Sequence, residues 1–470
     1  METFVGREKE FKTLRERLND NTSTITVIYG RRRVGKSELL RQAYNDVPTL
    51  YFEGLENQSK SKQLVNFISQ LTYQVKAIET PCEPMSSWHE AFKLLIPIIR
   101  NKNYVIIFDE FQWMANYRQE IISDLKMVWD QYLSRAGKIS LILCGSIASF
   151  MIKNVIRGKA LYGRTDQVIH VKPFTLNEAQ KMLPRFLHDE LLESYMLVGG
   201  IPKYLELVSK YSSLYQALQE LAFSENGYFI EEYKRIFLSH FGKNEEYQKI
   251  IEILAEYPYG LTRKEIAEHT NIPLGGGLST FLFNLESSGF IRSYKPLDKD
   301  EDTKLKKYCL QDSYLRFYFA FIKPNKNKIE SGQSDIFYRI TQSNAFYSYL
   351  GRSFEYLCID HAKKISMLLG FSGIDYSVGP YFESRSSRNQ GIQIDLVFNR
   401  ADKVLSLCEI KYTKTSIGTQ VIDETKQKEV LLEKKYARSI QKVLITKSPP
   451  TKDLLNTHYF YKIILASELV

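Results

Sequence analysis

The sequence predicts an α/β protein of several domains, and three observations support this prediction. The chain has 470 residues, enough for about three domains of roughly 150 residues each. Short apolar runs at residues 25–29, 104–108 and 139–144 have the pattern of buried parallel strands. A second group of strand-like runs lies beyond residue 390. We therefore expect two α/β domains, with helical segments between them.

A phosphate loop follows the first apolar run. Residues 30–37, GRRRVGKS, fit the pattern G-x-x-x-x-G-K-[ST] in full, and a helical start follows them. Glycines let backbone N–H groups close around phosphate oxygens, Lys36 can reach the β- and γ-phosphates, and the Ser37 hydroxyl suits Mg²⁺. We therefore expect the chain to bind ATP with Mg²⁺. The candidate residues of this loop are Gly30, Arg31, Arg33, Val34, Gly35, Lys36 and Ser37.

Polar residues at the ends of the next two runs supply the expected chemistry. Asp109 and Glu110 end the run at residues 104–108, the place where parallel strands deliver side chains to a ligand. Asp109 is expected to hold Mg²⁺ through the coordination shell of the ion, and Glu110 is expected to polarise the attacking water. Ser146, after the run at residues 139–144, can sense the γ-phosphate. Arg164 is a candidate cation for the transition state, with a structural ion pair as the alternative.

Several motifs, in order, resemble those of the archaeal-type ATPases of the AAA+/STAND lineage, which implies a P-loop NTPase domain over about the first 210 residues. They are FVGREKE at residues 4–10, the phosphate loop, DE at 109–110, GS at 145–146, LYGR at 161–164, PF at 173–174 and GGIPKY at 199–204. The resemblance implies that four residues lie near the adenine, with turn and cap roles as the alternative. These are Val5, Gly6, Arg7 and Pro202.

The middle of the chain has helical spacing followed by the pattern of a winged helix-turn-helix. Residues 176–240 predict a helical lid over the nucleotide, and the order of helices and strand-like runs from 250 to 310 predicts the winged module. Its second helix, residues 278–288, contains no Lys or Arg, so sequence-specific reading of DNA is not expected. Lys304, Lys306 and Lys307 of the wing could contact a nucleic-acid backbone; protein packing is the alternative.

Two strands and a helix carry the candidate residues of the C-terminal domain. A polar stretch at residues 324–334 is predicted to be a linker, and residues 393–398 and 405–411 are predicted to be two strands with a short charged turn between them. Residues two apart share a face of a strand, so Glu409 and Lys411 project the same way beside the strand of Asp395. Glu355, in a predicted helix at residues 352–358, can face the same site.

This arrangement resembles the PD-(D/E)xK nuclease core, which implies a restriction-endonuclease-like α/β fold. By this resemblance Asp395 and Glu409 bind Mg²⁺ or Mn²⁺, Glu355 completes the metal shell, and Lys411 orients or deprotonates the attacking water. Ile394 stands where the motif has its proline. Residues 321–470 contain 22 basic and 15 acidic residues, a net charge of +7 out of +10 for the chain, which suits a polyanionic partner.

The predicted domains are an ATPase core at residues 1–175, a helical lid at 176–243, a winged helix at 244–320 and a nuclease-like domain at 321–470. Five widely spaced cysteines without a C-x-x-C pair indicate reduced structural residues rather than a zinc site. No apolar signal region opens the chain, and no apolar run of about 18 residues occurs. We therefore expect a cytoplasmic protein with no membrane contact.

The expected function is ATP hydrolysis coupled to metal-dependent cleavage of nucleic acid, with DNA as the expected substrate. By analogy, such an architecture suggests a role in genome defence. Two alternatives stay open. One is a non-catalytic, nucleic-acid-binding or regulatory ATPase whose nuclease-like domain is degenerate. The other is a STAND-type signalling ATPase whose nucleotide state controls homo-oligomerisation.

Overall fold

The computed structural model describes residues 4–76, 85–295, 305–383 and 392–470. The chain forms two compact units. The first comprises the residues up to Phe174, together with Ile201–Lys203 and Phe283–Ser288. The second comprises Thr175–Gly200, Tyr204–Leu282 and Gly289–Val470.

The first unit is built on a five-stranded parallel sheet with the order β2-β3-β4-β1-β5. The strands are β1 Thr24–Tyr29, β2 Thr49–Glu53, β3 Asn103–Asp109, β4 Lys138–Gly145 and β5 Gln167–His170. The helices are α1 Glu8–Arg17, α2 Lys36–Ala43, α3 Lys60–Gln74, α4 Trp88–Lys93, α5 Ile96–Ile99, α6 Phe111–Met114, α7 Glu120–Val128, α8 Ser134–Ala136 and α9 Ala148–Phe150. The three apolar runs predicted as strands thus lie in β1, β3 and β4, next to one another.

Burial of these central strands explains their sequence. Nearly every residue of β1 and β4 is buried, as is typical of parallel strands covered on both faces. A cluster of phenylalanines packs beside β2 and β3, with ring centroids 4.4 Å apart for Phe52 and Phe67 and 5.3 Å apart for Phe92 and Phe108. This core fixes β1, β3 and β4 side by side, so the residues that follow them meet at one edge of the sheet.

Helices dominate the first part of the second unit. They are α10 Leu176–Met182, α11 His188–Val198, α12 Pro202–Ser209, α13 Leu214–Ala222, α14 Tyr228–Phe241, α15 Glu246–Glu256, α16 Arg263–Thr270 and α17 Gly276–Ser287, of which α12 and α17 contribute residues to both units. A small antiparallel sheet of order β6-β8-β7 accompanies the last three helices. Its strands are β6 Leu261–Thr262, β7 Ile291–Tyr294 and β8 Lys307–Leu310.

The linker predicted at residues 324–334 is wrong, because most of this stretch is helical. A 3-10 turn, Lys323–Asn325, leads into α19 Lys326–Glu330, which follows α18 Ser313–Phe317. Ile329 is buried, and Lys326 pairs with Glu231 of α14 over 2.8 Å. Gln219 Nε2 also donates to the carbonyl oxygen of Ser334 over 3.3 Å, so these contacts anchor a segment whose polar composition had indicated a linker.

The C-terminal part contains a five-stranded mixed sheet of order β13-β12-β11-β10-β9. Its strands are β9 Tyr376–Glu383, β10 Ile392–Arg400, β11 Val404–Lys411, β12 Ser439–Thr446 and β13 Lys462–Leu465. Its helices are α20 Ile336–Thr341, α21 Asn344–Asp360, α22 Ala362–Leu368, α23 Gln420–Lys435 and α24 Lys452–Asn456. Strands β9, β10 and β11 pair antiparallel, whereas β11, β12 and β13 run parallel. The register of β9 with β10 shifts between Ile394 and Val397, next to Asp395.

Two further features concern the sequence predictions on membranes and cysteines. Among the residues described, no helix has the length and apolar character needed to cross a bilayer. Cys144, Cys309, Cys358 and Cys408 are buried free thiols, as predicted. Cys82 lies outside the described residues.

Candidate functional sites

The phosphate loop has the backbone that its glycines predict. Gly35 has a φ of 87°, in the left-handed region that glycine adopts without strain. A Cβ atom on Gly30 would lie 2.2 Å from the carbonyl oxygen of Val171, so a larger residue cannot occupy that position without a backbone shift. These two features are the ones expected of a loop whose backbone N–H groups close around phosphate oxygens.

Lys36 is held inside this loop. Its side chain is 6 % exposed, and its Nζ donates hydrogen bonds to the carbonyl oxygens of Gly30 and Arg31 over 2.9 and 3.1 Å. These two carbonyls keep the ammonium group within the loop, where phosphate oxygens can replace them as acceptors. Arg33, with a φ of 69°, and the buried Val34 complete the loop.

Asp109 and Ser37 meet at the end of β3. The Ser37 Oγ donates to Asp109 Oδ2 over 2.6 Å, and the Tyr51 hydroxyl of β2 donates to the same oxygen. Asp109 is 2 % exposed. A hydroxyl and a carboxylate in contact beside a phosphate loop supply the oxygen ligands that Mg²⁺ prefers, so these residues fit an ATP-bound Mg²⁺. Tyr51 was missed by the sequence analysis, because only the pairing of β2 with β3 brings it to the site.

Glu110 lies beside Asp109 and is held by residues from two neighbouring segments. Its Oε2 accepts hydrogen bonds from Ser146 Oγ at 2.6 Å, Ser146 N at 3.3 Å and Gln112 Nε2 at 2.5 Å. Its backbone has a φ of 49°, a left-handed conformation that is unusual for glutamate and that concentrates at functional sites. Glu110 and Ser146, both predicted from sequence, are therefore in direct contact.

Gln112 is a functional candidate that the sequence analysis missed. It is fully buried, and its Nε2 bridges Glu110 and Ser146, the latter at 3.2 Å. A Cβ on Gly145 would lie 2.7 Å from Gln112 Oε1, so the glycine makes room for this amide. The DEFQ order of residues 109–112 contains the signal, but it becomes informative only when β4 is placed beside β3.

Arg164 forms a bidentate ion pair with Asp130 and is therefore not an unpaired cation. Its Nε and Nη2 lie 2.7 and 2.8 Å from the two carboxylate oxygens of Asp130. The guanidinium keeps the pKa of Asp130 below its usual value, mainly through this hydrogen-bonded pair. The structure therefore favours the structural ion pair, the alternative that the sequence had left open for Arg164.

Two of the residues that the resemblance placed near adenine, Arg7 and Pro202, lie beside the phosphate loop. Arg7 is buried, has a φ of 63°, and donates from Nη2 to the carbonyl of Val34 over 2.8 Å. Its guanidinium also lies 4.6 Å from the ring centre of Phe174. Pro202 lies near Gly35, since a Cβ built there would be 4.0 Å from Pro202 Cγ. Gly6 and the half-buried Val5 precede Arg7, and contact of these residues with adenine stays a prediction.

The second candidate site lies in the C-terminal sheet, where β10 and β11 run side by side. Asp395 Oδ2 accepts a hydrogen bond from the backbone N–H of Ile410 over 3.0 Å. Glu409 is 1 % exposed, and each of its oxygens contacts a lysine: Lys411 Nζ at 3.0 Å and Lys428 Nζ at 2.6 Å. The strand pairing thus brings Asp395, Glu409 and Lys411 together, and α23 adds Lys428, which the sequence analysis missed.

The raised pKa values of two carboxyl groups at this site show that its acidic residues lie close together. Burial and then the charge of Glu409 raise the pKa of Asp395 to about 6. Burial and then the charge of Asp395 raise the pKa of Glu355, on α21, to about 8. Burial alone lowers the pKa of Lys411, but ion pairing with Glu409 and with Glu424, at 2.6 Å, raises it overall. The pKa shifts indicate that Glu355 lies near the strand carboxylates.

The carboxyl groups of this site are chemically suited to bind a divalent cation, but their positions do not form a metal site. Carboxylate oxygens are the preferred ligands of Mg²⁺, and three carboxyl groups share this site. In the parts of the chain that the structure describes, however, no group of three or more His, Cys, Asp or Glu side chains is placed to hold a metal ion. Lys411 and Lys428 occupy both oxygens of Glu409, so a metal would have to displace one of them.

A cavity of the second unit connects this acidic site with the small antiparallel sheet. Glu355 and Asp395 line it together with Arg292 and Tyr294 of β7. The Tyr294 ring lies 6.0 Å from that of Phe382 on β9. Among the predicted wing lysines, Lys307 is 5.8 Å from the Phe382 ring and Lys306 is 5.5 Å from the Tyr308 ring, whereas Lys304 lies outside the described residues.

Comparison with protein families separates the chain into two matched parts. Residues 4–208 match an ATPase domain found predominantly in Archaea. Residues 318–440 match a family of archaeal and bacterial proteins of unknown function. The N-terminal part is therefore an ATPase domain of the archaeal type, joined to a separate C-terminal sheet domain.

Individual proteins show the same likeness. An uncharacterised protein of Methanocaldococcus jannaschii is 27 % identical over 412 residues, which are 87 % of each chain. An uncharacterised ATP-binding protein of the same organism is 41 % identical over 39 residues, 8 % of this chain and 66 % of the other. The structure of a Walker-type ATPase of Pyrococcus abyssi matches with a TM-score of 0.50 and 21 % identity, covering 67 % of this chain and 96 % of the other. This structural likeness shows a shared P-loop ATPase fold.

Proposed function

We propose that this chain hydrolyses ATP and uses its C-terminal domain to cut nucleic acid, with DNA as the expected substrate. The observation that carries the nuclease proposal is the meeting of Asp395, Glu409 and Lys411 on adjacent strands. The order α21, β9, β10, β11, α23, β12 supports a restriction-endonuclease-like core, because the acids and the lysine lie on its central strands. Glu355 of α21 completes the acidic set.

For ATP hydrolysis, each residue has a separate task. Lys36 exchanges its two carbonyl acceptors for phosphate oxygens, and Ser37 with Asp109 would hold Mg²⁺, which neutralises phosphate charge when bound. Glu110 orients the attacking water and accepts its proton. Glu110 Oε2 is hydrogen-bonded to Ser146 and Gln112, which hold the carboxylate in place.

For phosphodiester cleavage, Asp395 and Glu409 would hold a divalent cation with help from Glu355. The cation supplies charge neutralisation at the scissile phosphate. Lys411 stands 3.0 Å from Glu409, close enough to orient a water at the same centre. The excess of basic over acidic residues beyond residue 320 supports attraction of the polyanion.

The helices α15, α16 and α17 with the sheet β6-β8-β7 have the order of a winged helix, which we interpret as a joint or a sequence-tolerant nucleic-acid contact. Helix α17 carries no Lys or Arg, so it lacks the side chains that most often read bases. Lys306 and Lys307, which lie over the rings of Tyr308 and Phe382, would supply backbone contacts, which are salt-sensitive and independent of sequence.

The test is incubation of the purified full chain with single-stranded and double-stranded DNA and RNA, with and without Mg²⁺, ATP and EDTA. We expect cutting that requires Mg²⁺ or Mn²⁺, stops with EDTA and responds to the nucleotide state. Asp395→Ala and Lys411→Ala should abolish it, while Asp453→Ala, an exposed acid in the first turn of α24, should not. Cutting by Asp395→Ala would reject the nuclease assignment.

A second candidate function is a regulatory ATPase whose C-terminal domain binds nucleic acid without cutting it. The observation that favours it is the double engagement of Glu409 by Lys411 and Lys428, which opposes metal binding. This candidate predicts nucleic-acid binding without cleavage in every metal tested, together with ATP hydrolysis. The same assays separate the two candidates.

A further inference from the structure

A cavity of about 490 Å³ lies beside α21 in the second unit, next to the cavity of the acidic site. Helix α15, the segment after α18 and helix α21 enclose it. Its lining includes Leu254, Arg316, Phe319, Tyr349 and Arg352. The volume falls in the range of small-molecule binding sites, which are typically lined by apolar groups with a few polar ones.

Three residues of this lining have polar atoms that find no hydrogen-bond partner among the described residues. Tyr349 is 6 % exposed, and its hydroxyl oxygen has no hydrogen-bond partner in the structure. The buried Nε of Arg316 also has none, although its Nη1 donates to the carbonyls of Leu310 and Gln311 and its Nη2 to Ser313 Oγ. The half-buried Arg352 makes no hydrogen bond or ion pair with any residue that the structure describes. Buried polar groups normally find partners, so two unsatisfied buried donors beside the half-buried Arg352 indicate a missing ligand.

The chemistry of these groups selects an anion. Arg316 Nε, the Arg352 guanidinium and the Tyr349 hydroxyl can all donate, and the donors of Arg352 can match phosphate oxygens in pairs. Of the other charged residues in the lining, Lys323 is paired with Glu252 over 3.0 Å, and Glu256 is exposed. Leu254 and the ring of Phe319, with Lys323 Nζ 5.0 Å from its centre, are also part of the lining and suit a flat ring system.

We propose that this cavity binds a phosphate ester of mononucleotide size, with its phosphate on Arg316, Arg352 and Tyr349 and its base against the apolar lining. The proposal does not depend on the nuclease assignment. It also differs from the ATP site, which lies in the other unit and uses Lys36.

The site is connected to the acidic cavity through α21. Arg352, Tyr356 and Pro258 line both cavities. Arg352 and Glu355 are three residues apart, so they are neighbours on one face of the helix. A phosphate that draws Arg352 toward itself removes positive charge from beside Glu355. Occupancy of this cavity would therefore change the charge balance at the acidic site.

The test is isothermal titration of the full-length Lys36→Ala chain, which weakens the ATP site, with AMP, GMP, CMP, UMP and inorganic phosphate. At least one nucleoside monophosphate should bind, and inorganic phosphate should bind at least about 10-fold more weakly, because it lacks the apolar contacts. Tyr349→Phe should weaken binding roughly 5-fold without lowering the melting temperature, because it removes a buried hydroxyl that has no partner.

Arg352→Met should weaken binding further, since it removes a guanidinium with no other hydrogen bond or ion pair to a described residue. The matched controls are Tyr338→Phe and Arg339→Met on α20, which are exposed. The proposal is overturned if none of the five probes binds at millimolar concentration, or if Tyr349→Phe and Arg352→Met bind as tightly as their controls. Equal affinity for inorganic phosphate would overturn the nucleotide class of the ligand.

Discussion

Lys428 donates a hydrogen bond from Nζ to Oε2 of Glu409 over 2.6 Å, at a carboxylate that is only 1 % exposed. The two residues are 19 positions apart and lie on α23 and β11. With Lys411 on the other oxygen, Glu409 is neutralised entirely by protein cations. The lysine on the helix therefore competes directly with any metal that Glu409 could bind.

We predict that Lys428→Met will bind Mn²⁺ about 10-fold more tightly than the unmodified chain, because one competing cation is gone, a gain of about 1.4 kcal/mol. Without metal, the variant should melt at a lower temperature, since a buried carboxylate loses a partner. Added Mn²⁺ should restore the melting temperature. Titration calorimetry and thermal melts measure both effects.

The control for this prediction is Lys434→Met, an exposed lysine of the same helix. It should leave the affinity for Mn²⁺ and the metal-free melting temperature unchanged. Equal affinity in both variants would show that Lys428 does not compete with metal. No Mn²⁺ binding by either variant or by the unmodified chain would instead argue against the metal site itself.

For the ATP site, we predict that Lys36→Ala abolishes tight ATP binding, whereas Glu110→Gln leaves binding intact and slows hydrolysis roughly 100-fold or more. Lys36 is the cation that the loop holds against its own carbonyls, and Glu110 is the base for water. Equilibrium binding of ATP and release of phosphate separate the two effects. Lys12→Ala, on the exposed face of α1, serves as a control, and normal hydrolysis by Lys36→Ala would reject the assignment.

Gln112 should act on catalysis through Glu110 rather than on binding. Gln112→Leu keeps the side-chain volume but removes the hydrogen bonds to Glu110 and Ser146. We expect kcat to fall by about 10-fold while KM for ATP stays constant, because a misplaced base slows proton transfer and does not affect phosphate binding.

Stability should change little in this variant, since Gln112 Oε1 is buried without a hydrogen-bond partner and leucine removes that unsatisfied group. Gln119→Leu, on the exposed surface before α7, controls for loss of an amide. A change of KM and melting temperature without a change of kcat would assign Gln112 a purely structural role.

The raised pKa of Glu355 predicts a pH-dependent stability. Its pKa is about 8 in the folded chain, above the usual value of 4.5, so the folded state binds more protons than the unfolded state between these values. Stability therefore falls as the pH rises from about 4.5 to 8, by up to about 1.4 kcal/mol per pH unit for this group. In EDTA, Glu355→Gln should melt at a higher temperature at pH 8 and should show a weaker dependence on pH.

Glu330→Gln, a substitution of an acid in α19, is the control for this effect. It should follow the pH dependence of the unmodified chain. A melting temperature of the unmodified chain that rises steadily from pH 6 to 8, with Glu355→Gln showing the same slope, would contradict the prediction.

The sequence alone was enough to predict the candidate residues whose roles depend on their neighbours along the chain. The phosphate loop lies within eight consecutive residues, and its glycines, Lys36 and Ser37 dictate its backbone and its ligand wherever the strand and helix around it form. Asp109 and Glu110 follow a buried apolar run, and the i, i+2 spacing of Glu409 and Lys411 fixes their shared face on β11. These inferences need only the periodicity of strands and the conformational freedom of glycine.

Partners that come from distant segments were decided by tertiary structure alone. Tyr51 contacts Asp109 because β2 pairs with β3, and Lys428 contacts Glu409 because α23 packs on the sheet. Arg164 forms an ion pair with Asp130. The predicted linker became α19 because the rest of the unit buries Ile329. Composition and spacing report on neighbours along the chain, whereas the charge and burial of a side chain depend on which segments the fold brings together.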